Sequence, residues 1–456
     1  MHNALAVTPP MGWNNWNAFG CDVSEQLILD TTQRLVHLGL RDAGYHYVVL
    51  DDCWSDGRFD NGTLRPNATK FPNGMAHVAD RIHAMGMGFG MYSDAGYYTC
   101  AKYVGSLGYE ELDAQTFAGW GVDYLKYDNC YNAGQSGTAN VSYERYNVMS
   151  KALNATGRQM VYAISNWGQD HPWDWAYLIA NAWRATGDII DSFDRPDVRC
   201  PCEEKDGIDC AFPGFHCSVM NIINKVTWFV HRSQPGGWND MDMLEVGNGG
   251  MTDSEYKLHM TMWAALKSPL TMGADIRSLD AQAYSIYTNP AILALSQDPA
   301  GASAQRRWRK RTPEGGDLQM WSGPLSSSHY VVVLLNAADS DVRFNVTLAD
   351  VFVDEGGAKS PQARSTDWDV FDLWANRMPD DVAQEVINGN TTDVANAQRY
   401  LFNATAMSFA DGLAKNEPVL MGKSVGVWKS LSEWSVVVPR HGVMAYRLRA
   451  RTRDEL

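Results

Sequence analysis

No run of eighteen or more apolar residues occurs in the 456-residue chain, so no segment is suited to cross a bilayer as a helix. Basic residues are in the minority: 38 Lys and Arg stand against 53 Asp and Glu, a formal net charge of −15. A nucleic-acid partner needs a basic face, and this balance argues against one. A dinucleotide cofactor is no better served. Gly86-Met87-Gly88-Phe89-Gly90 lacks the third-glycine spacing of the dinucleotide turn and precedes a strand rather than a helix. Internal repeats and low-complexity tracts are missing too, which removes solenoids and biased linkers. The length exceeds one ordinary core, so one large domain and a smaller one are expected.

Cysteine is present, and in even number: Cys21, Cys53, Cys100, Cys130, Cys200, Cys202, Cys210 and Cys217. Asn-X-Ser/Thr sequons occur at Asn61, Asn67, Asn140, Asn154, Asn345, Asn390 and Asn403. Together they read as a secreted, disulfide-bonded glycoprotein. The competing reading is a metal site at Cys200-Pro201-Cys202 and Cys210…Cys217. Zinc ribbons carry two-residue gaps within each pair, and that spacing is missing, so no metal is expected. Met1-His2-Asn3 leads almost directly into structured sequence, as expected of a mature chain whose signal peptide has been removed. The last residues, Arg453-Asp454-Glu455-Leu456, resemble an endoplasmic-reticulum retrieval tetrapeptide. Chance polar termini are common, so secretion ranks above retrieval.

Through roughly the first 300 residues one theme recurs: a helix, a short apolar strand, then polar residues or Gly. Asp22 and Glu25 are spaced as a capping box, and Leu27, Ile28, Leu35 and Leu38 share one helix face before Gly39. Met75, Val78, Ile82 and Met85 repeat the pattern. The strands expected are Tyr47–Leu50, Phe89–Tyr92, Val122–Asp128, Met160–Ser165, Trp183–Ile190 and Pro269–Gly273. Such alternation implies parallel strands with crossover helices. Polar residues gather at the carboxyl ends of several strands, which suits an eight-fold α/β barrel with its loops converging on one mouth better than a doubly wound sheet. After Gln297-Asp298-Pro299 the pattern changes to short β-type runs divided by turns: around Trp308, then Leu318–Trp321, Tyr330–Leu335, Val342–Leu348, Trp368–Leu373, Val425–Trp428, Trp434–Val438 and Val443–Leu448. The expected division is a catalytic barrel over 1–300 and an antiparallel β domain over 301–456.

Two strand ends carry the chemistry. Val122–Asp128 delivers Lys126 and Asp128 to one face, and Arg184-Ala185-Thr186-Gly187-Asp188 delivers a second carboxylate. A pair of carboxylates facing one rim is the requirement for breaking a glycosidic bond. Lys126 is placed to keep Asp128 ionised as a nucleophile. Asp188, among Trp183, Ile189 and Ile190, is expected to be raised in pKa by desolvation and to act as the acid. That role requires Arg184 to reach for substrate rather than for Asp188 itself. Asp51 and Asp52 are placed to accept sugar hydroxyls, and Trp16, Tyr92 and Trp167 to supply apolar faces.

These residues belong to longer motifs: Pro10-Met11-Gly12-Trp13-Asn14-Asn15-Trp16, Asp51-Asp52-Cys53-Trp54, Leu125-Lys126-Tyr127-Asp128-Asn129-Cys130, Asn166-Trp167-Gly168, Trp183-Arg184-Ala185-Thr186-Gly187-Asp188, Gly237-Trp238-Asn239-Asp240-Met241-Asp242-Met243 and Asp372-Leu373-Trp374-Ala375-Asn376-Arg377. In order and number they resemble glycoside hydrolase family 27, with the closest likeness to secreted fungal α-galactosidases. The resemblance implies a (β/α)8 barrel followed by a β-sandwich, and hydrolysis of terminal α-D-galactosyl residues with retention. No cofactor is implied, and the partner is a galactosyl oligosaccharide or polysaccharide. It assigns Asp128 as nucleophile and Asp188 as acid/base. It places Asp51 and Asp52 at the 4- and 6-hydroxyls, Lys126 at the 3- and 4-hydroxyls, and Arg184 near the 2-hydroxyl. Trp16, Tyr92 and Asp242 match other pocket positions. Ser165 stands where relatives commonly carry Cys beside the 2-hydroxyl. The implied disulfides are Cys21–Cys53, Cys100–Cys130, Cys200–Cys217 and Cys202–Cys210. The alternatives are an α-N-acetylgalactosaminidase or β-L-arabinopyranosidase of the same family, or a non-catalytic galactose-binding protein. Trp167 leaves little room for an acetamide.

Overall fold

A computed structural model describes residues 3–194, 200, 217–313, 315–353 and 364–451. Eight short parallel strands form one sheet: β1 (Met11–Asn14), β2 (Tyr47–Leu50), β3 (Gly88–Asp94), β4 (Tyr124–Asp128), β5 (Val161–Ile164), β6 (Ala182–Arg184), β7 (Trp238–Asp240) and β8 (Leu270–Met272). Neighbours in the sheet follow chain order, and β8 returns to pair with β1 in parallel. Closure on the other side comes from Leu244, just past β7. It donates its N–H to Thr271 O at 2.7 Å and accepts from Gly273 N–H at 2.9 Å. The expected (β/α)8 barrel is therefore present, with all polar strand ends at one mouth.

Close strand packing explains one glycine. A Cβ on Gly12 would lie 2.4 Å from Tyr47 O across the β1–β2 ladder, so only Gly lets these strands meet. The helix α1 (Glu25–His37) forms where its apolar spacing predicts, with Leu27, Ile28, Leu35 and the following Leu38 buried. Its cap differs from the expectation. Ser24, not Asp22, accepts from Leu27 N–H; the Glu25 N–H that an Asp22 cap would take donates to Lys70 O at 2.8 Å, and the Glu25 carboxylate accepts from Asn73 Nδ2 at 2.8 Å. The helix α2 (Gly74–Ala84) buries Met75, Val78 and Ile82 as expected.

The strand expected over Trp183–Ile190 is much shorter. Its ladder with β7 stops at Arg184. Beyond it the backbone turns to the Asp242 carboxylate, which accepts Ile189 N–H at 2.8 Å. That early departure leaves Asp188 on a loop rather than on the sheet.

All eight β runs expected in the C-terminal part are strands: β9 (Gln305–Arg311), β10 (Asp317–Pro324), β11 (Tyr330–Asn336), β12 (Val342–Thr347), β13 (Trp368–Asp372), β14 (Lys423–Trp428), β15 (Glu433–Val438) and β16 (Gly442–Ala450). Six form one antiparallel sheet in the order β9-β10-β11-β16-β13-β14, and β12 pairs with β15 in a second. Alternate residues of the two sheets fill one core, among them Val332, Leu334, Phe344, Val346, Trp368, Trp428 and Val438, as in a β-sandwich. By contacts within the chain, this compact unit comprises Met251–Lys267, Asp280–Gly389 and Asp393–Leu456. The barrel unit comprises Met1–Gly250, Ser268–Leu279 and Asn390–Thr392.

Candidate active site

Four strand ends build the cavity floor. At the end of β2, Asp51 and Asp52 are both nearly fully buried. Asp51 Oδ2 accepts from Lys126 Nζ at 2.7 Å and from Asn14 Nδ2 at 2.6 Å. Asp52 accepts two backbone N–H groups, from Cys53 at 2.7 Å and Ala101 at 3.0 Å. Burial raises the Asp52 pKa, and those bonds work against it. The strand ends at Leu50, so strand alternation does not govern the adjacent pair, and both line the cavity.

At the end of β4, Asp128 Oδ2 accepts the Tyr92 hydroxyl at 2.8 Å, and Oδ1 accepts Asn129 N–H at 3.1 Å. Burial pushes the Asp128 carboxyl above the ordinary range. Lys126 pulls it down, the nearby Asp188 charge pushes it up, and the Tyr92 bond pulls it down again. Lys126 thus acts in the expected direction, but it is outweighed by desolvation, and its direct partner is Asp51. For Lys126 itself burial lowers the pKa, yet Asp51 and Asp128 outweigh burial and hold it above the usual ammonium value.

At the end of β6, two expectations are corrected. The Asp188 side chain keeps 49% of its exposure, so the apolar enclosure suggested by its sequence neighbours is not there. Arg184 also does not reserve its fork for substrate. It pairs with Asp188 at 2.9 Å and with Asp242 at 2.8 Å. Asp242, past the end of β7, is held by N–H groups of Ile189 and Met243, each at 2.8 Å. Burial raises its pKa and Arg184 opposes the rise.

These groups line one cavity of about 390 Å³. It collects Trp16, Asp51, Asp52, Tyr92, Lys126, Asp128, Trp167, Arg184, Asp188 and Asp242. Ser165 is the exception. It lines a second chamber of about 520 Å³ inside the barrel, which shares Lys126, Arg184, Asp242 and Met243 with the first. Its hydroxyl is buried with no hydrogen-bond partner. Sequence reading missed Asn14, Asn17 and Met243 as site components, although Asn14 and Met243 lie inside motifs already singled out. It also missed Glu245, which accepts from both Asn17 and Asn248 and whose pKa burial pushes up to about 8.

Disulfides join Cys21 to Cys53, Cys100 to Cys130 and Cys200 to Cys217, and Cys100 is part of the cavity wall. Cys202 and Cys210 lie outside the described residues, as do Arg453–Leu456. Of the seven sequon asparagines, all but Asn67 are exposed. Among the described residues no helix is long and apolar enough to cross a membrane.

The barrel mouth thus gathers five aspartates, a lysine and an arginine. Residues 8–298 match the family model described as alpha galactosidase A, and residues 315–398 match the alpha galactosidase C-terminal beta sandwich domain. The chain belongs to glycoside hydrolase family 27. It is 51% identical to an alpha-galactosidase of Zygotorulaspora mrakii over 453 residues, 98% of this chain and 95% of that one. The solved alpha-galactosidase of Saccharomyces cerevisiae superposes with a TM-score of 0.95 at 49% identity, covering 99% of each chain. A structure of an alpha-galactosidase of Saccharomyces cerevisiae with raffinose gives 0.94 at 49% identity and the same coverage. As in these family 27 relatives, the activity of this chain is α-galactoside hydrolysis.

Proposed function

We propose that the cavity holds a terminal α-galactosyl unit and hydrolyses it by double displacement. An Asp128 oxygen attacks the anomeric carbon as the bond to the leaving oxygen breaks, and Asp188 gives its proton to that oxygen. Asp188 then takes a proton from water, whose oxygen attacks the same carbon and releases Asp128. Asp51, Asp52 and Lys126 hold the hydroxyls on one side of the ring, Arg184 and Asp242 those on the other, and Trp16 and Trp167 cover its carbons. The family resemblance assigns Ser165 to the 2-hydroxyl; it lines the second chamber, which adjoins the first through Lys126, Arg184, Asp242 and Met243. The observation that supports this reading most is that Asp128, at the end of β4, and Asp188, on the loop after β6, line one cavity, close enough for the Asp188 charge to act on Asp128.

The substrates proposed are galactosyl oligosaccharides such as raffinose, with which the yeast relative was solved, and the galactosyl branches of polysaccharides. The disulfides and exposed sequons support a secreted glycoprotein, and the family models support a catalytic barrel ending near residue 300. Proton NMR of the first sugar released tests the chemistry. Retention gives α-galactose before mutarotation; initial β-galactose would assign an inverting route. A crystal structure should place the two carboxyl groups about 5–5.5 Å apart.

A further inference from the structure

The loops after β3 and β4, residues 95–109 and 129–138, leave the barrel at its mouth and carry a group of exposed aromatic rings. Tyr97, Tyr98 and Tyr131 are 58%, 52% and 47% exposed. A single exposed ring calls for no explanation. Three on two loops joined by the disulfide of the active-site wall form a surface. Tyr98 lies two residues before Cys100, so its Cα is within about 7.6 Å of the Cα of that cavity residue. Tyr131 follows Cys130, whose Cα is 5.2 Å from that of Cys100.

The loops are fastened to each other as well as to the barrel. Tyr97 N–H donates to Tyr131 O at 3.2 Å and Ala95 N–H to Asp128 O at 3.0 Å. A Cβ on Gly96 would fall 1.9 Å from Cys130 O, so the loops touch backbone to backbone. Tyr131 sits at φ +44°, a conformation that a bulky residue adopts only when its surroundings hold it there. The Tyr98 and Tyr131 rings meet edge to face, centroids 5.7 Å apart at 85°. This arrangement leaves ring surface toward solvent instead of closing it in a stack.

We propose that Tyr98 and Tyr131 form an acceptor subsite for the sugar that follows the scissile oxygen. The proposal rests on the galactosidase reading of the cavity and extends it to the leaving group. A pyranose has a face of C–H bonds and an edge of hydroxyls. A fixed tyrosine matches it with an apolar face and a polar tip at small entropic cost. The occupant is the neutral second sugar of an oligosaccharide, because the platform is continuous with the cavity wall through Cys100–Cys130.

The test compares raffinose with α-D-galactosyl fluoride, whose leaving group is one atom and reaches no platform. In the Tyr98→Ala/Tyr131→Ala variant, KM for raffinose should rise roughly tenfold, equivalent to about 1.4 kcal/mol, while kcat and both constants for the fluoride stay near wild type. Tyr98→Phe/Tyr131→Phe should retain most of the raffinose affinity. Unchanged raffinose KM overturns the proposal, and a simultaneous drop in oligomer size on a sizing column would reassign the rings to contact between copies. Should alanine disturb the loops, Tyr98→Leu/Tyr131→Leu keeps their bulk, and equal losses on both substrates in both variants also overturn it. Failure of the cavity reading has a different signature: galactosyl fluoride hydrolysis would then survive replacement of Asp128.

Discussion

On one side of the cavity Asp128 is only 6% exposed, behind a disulfide and beneath the Tyr92 hydroxyl. Across from it Asp188 keeps about half of its side-chain exposure on a loop that has left the barrel. The Asp128 wall is locked from behind as well: its carbonyl accepts from Tyr146 Oη at 3.1 Å, and Asn129 is held by Arg145. The same side chain is thus given two environments. A carboxylate that must attack carbon gains from being stripped of water and held still. One that must lose a proton and recover it in every turnover gains from contact with solvent. The contrast runs opposite to the sequence expectation, in which Asp188 is the desolvated acid and Arg184 reaches only for substrate.

The contrast is broken most severely by Asp128→Asn, which should lower kcat by roughly 10⁴-fold or more, the scale of losing a covalent nucleophile. The same change should stabilise the fold at neutral pH. An acid whose pKa is raised by folding binds its proton more tightly when folded. The stability it contributes is present at low pH and is lost as pH climbs from the ordinary value of 3.8 through the higher folded one. Melting curves should therefore place the Asn variant above wild type near pH 7.5, with the gap closing toward pH 4. A gap independent of pH would mean that burial of Asp128 has no electrostatic cost.

Asp188→Asn should cost about 10²–10⁴-fold on raffinose but far less on galactosyl fluoride, whose departure needs little proton assistance. Rates measured on the two substrates separate an acid from a residue that merely shapes the pocket. Lys126→Met sharpens the Asp128 side. With the cation gone, burial acts on Asp128 with less opposition, and the acidic limb of kcat/KM should move to higher pH. Leaving Asp51 without its cation should also destabilise the protein by roughly 3–5 kcal/mol, readable by urea unfolding. The smallest effect is expected at Ser165, which lines the second chamber. Its hydroxyl already lacks a protein partner, so Ser165→Ala should change stability by less than about 1 kcal/mol. Only affinity for galactosides with an intact 2-hydroxyl should weaken, as a comparison of KM for galactoside and 2-deoxygalactoside would reveal.

The barrel was legible because its strands are short, apolar and punctuated by helices with clear spacing. The sandwich was legible because its runs alternate between turns. What sequence could not carry was the path of the chain past Arg184. Trp183, Ile189 and Ile190 read as one buried strand, but pairing ends after three residues, and three-dimensional partners such as Asp242 set the course of the backbone from there. Asp22 and Glu25 match a capping spacing, yet Ser24 is the cap, and the partner of Glu25, Asn73, is distant in sequence. Likewise, adjacency of Asp51 and Asp52 says nothing of the strand ending at Leu50, which frees both to line the cavity.

The charges around the cavity do not balance. With Asp188 carrying the proton to be given, Asp51, Asp52, Asp128 and Asp242 face it, and among the described residues the cations on its wall are Lys126 and Arg184. A neutral hexose brings no compensation on entering. Positive character arises on the ring only while the anomeric bond is parting, and that is the moment at which this surplus of negative field is answered. A ring that carried a permanent positive charge, such as a protonated nitrogen in place of its oxygen, would meet the same welcome without reacting and should remain lodged there far longer than galactose does.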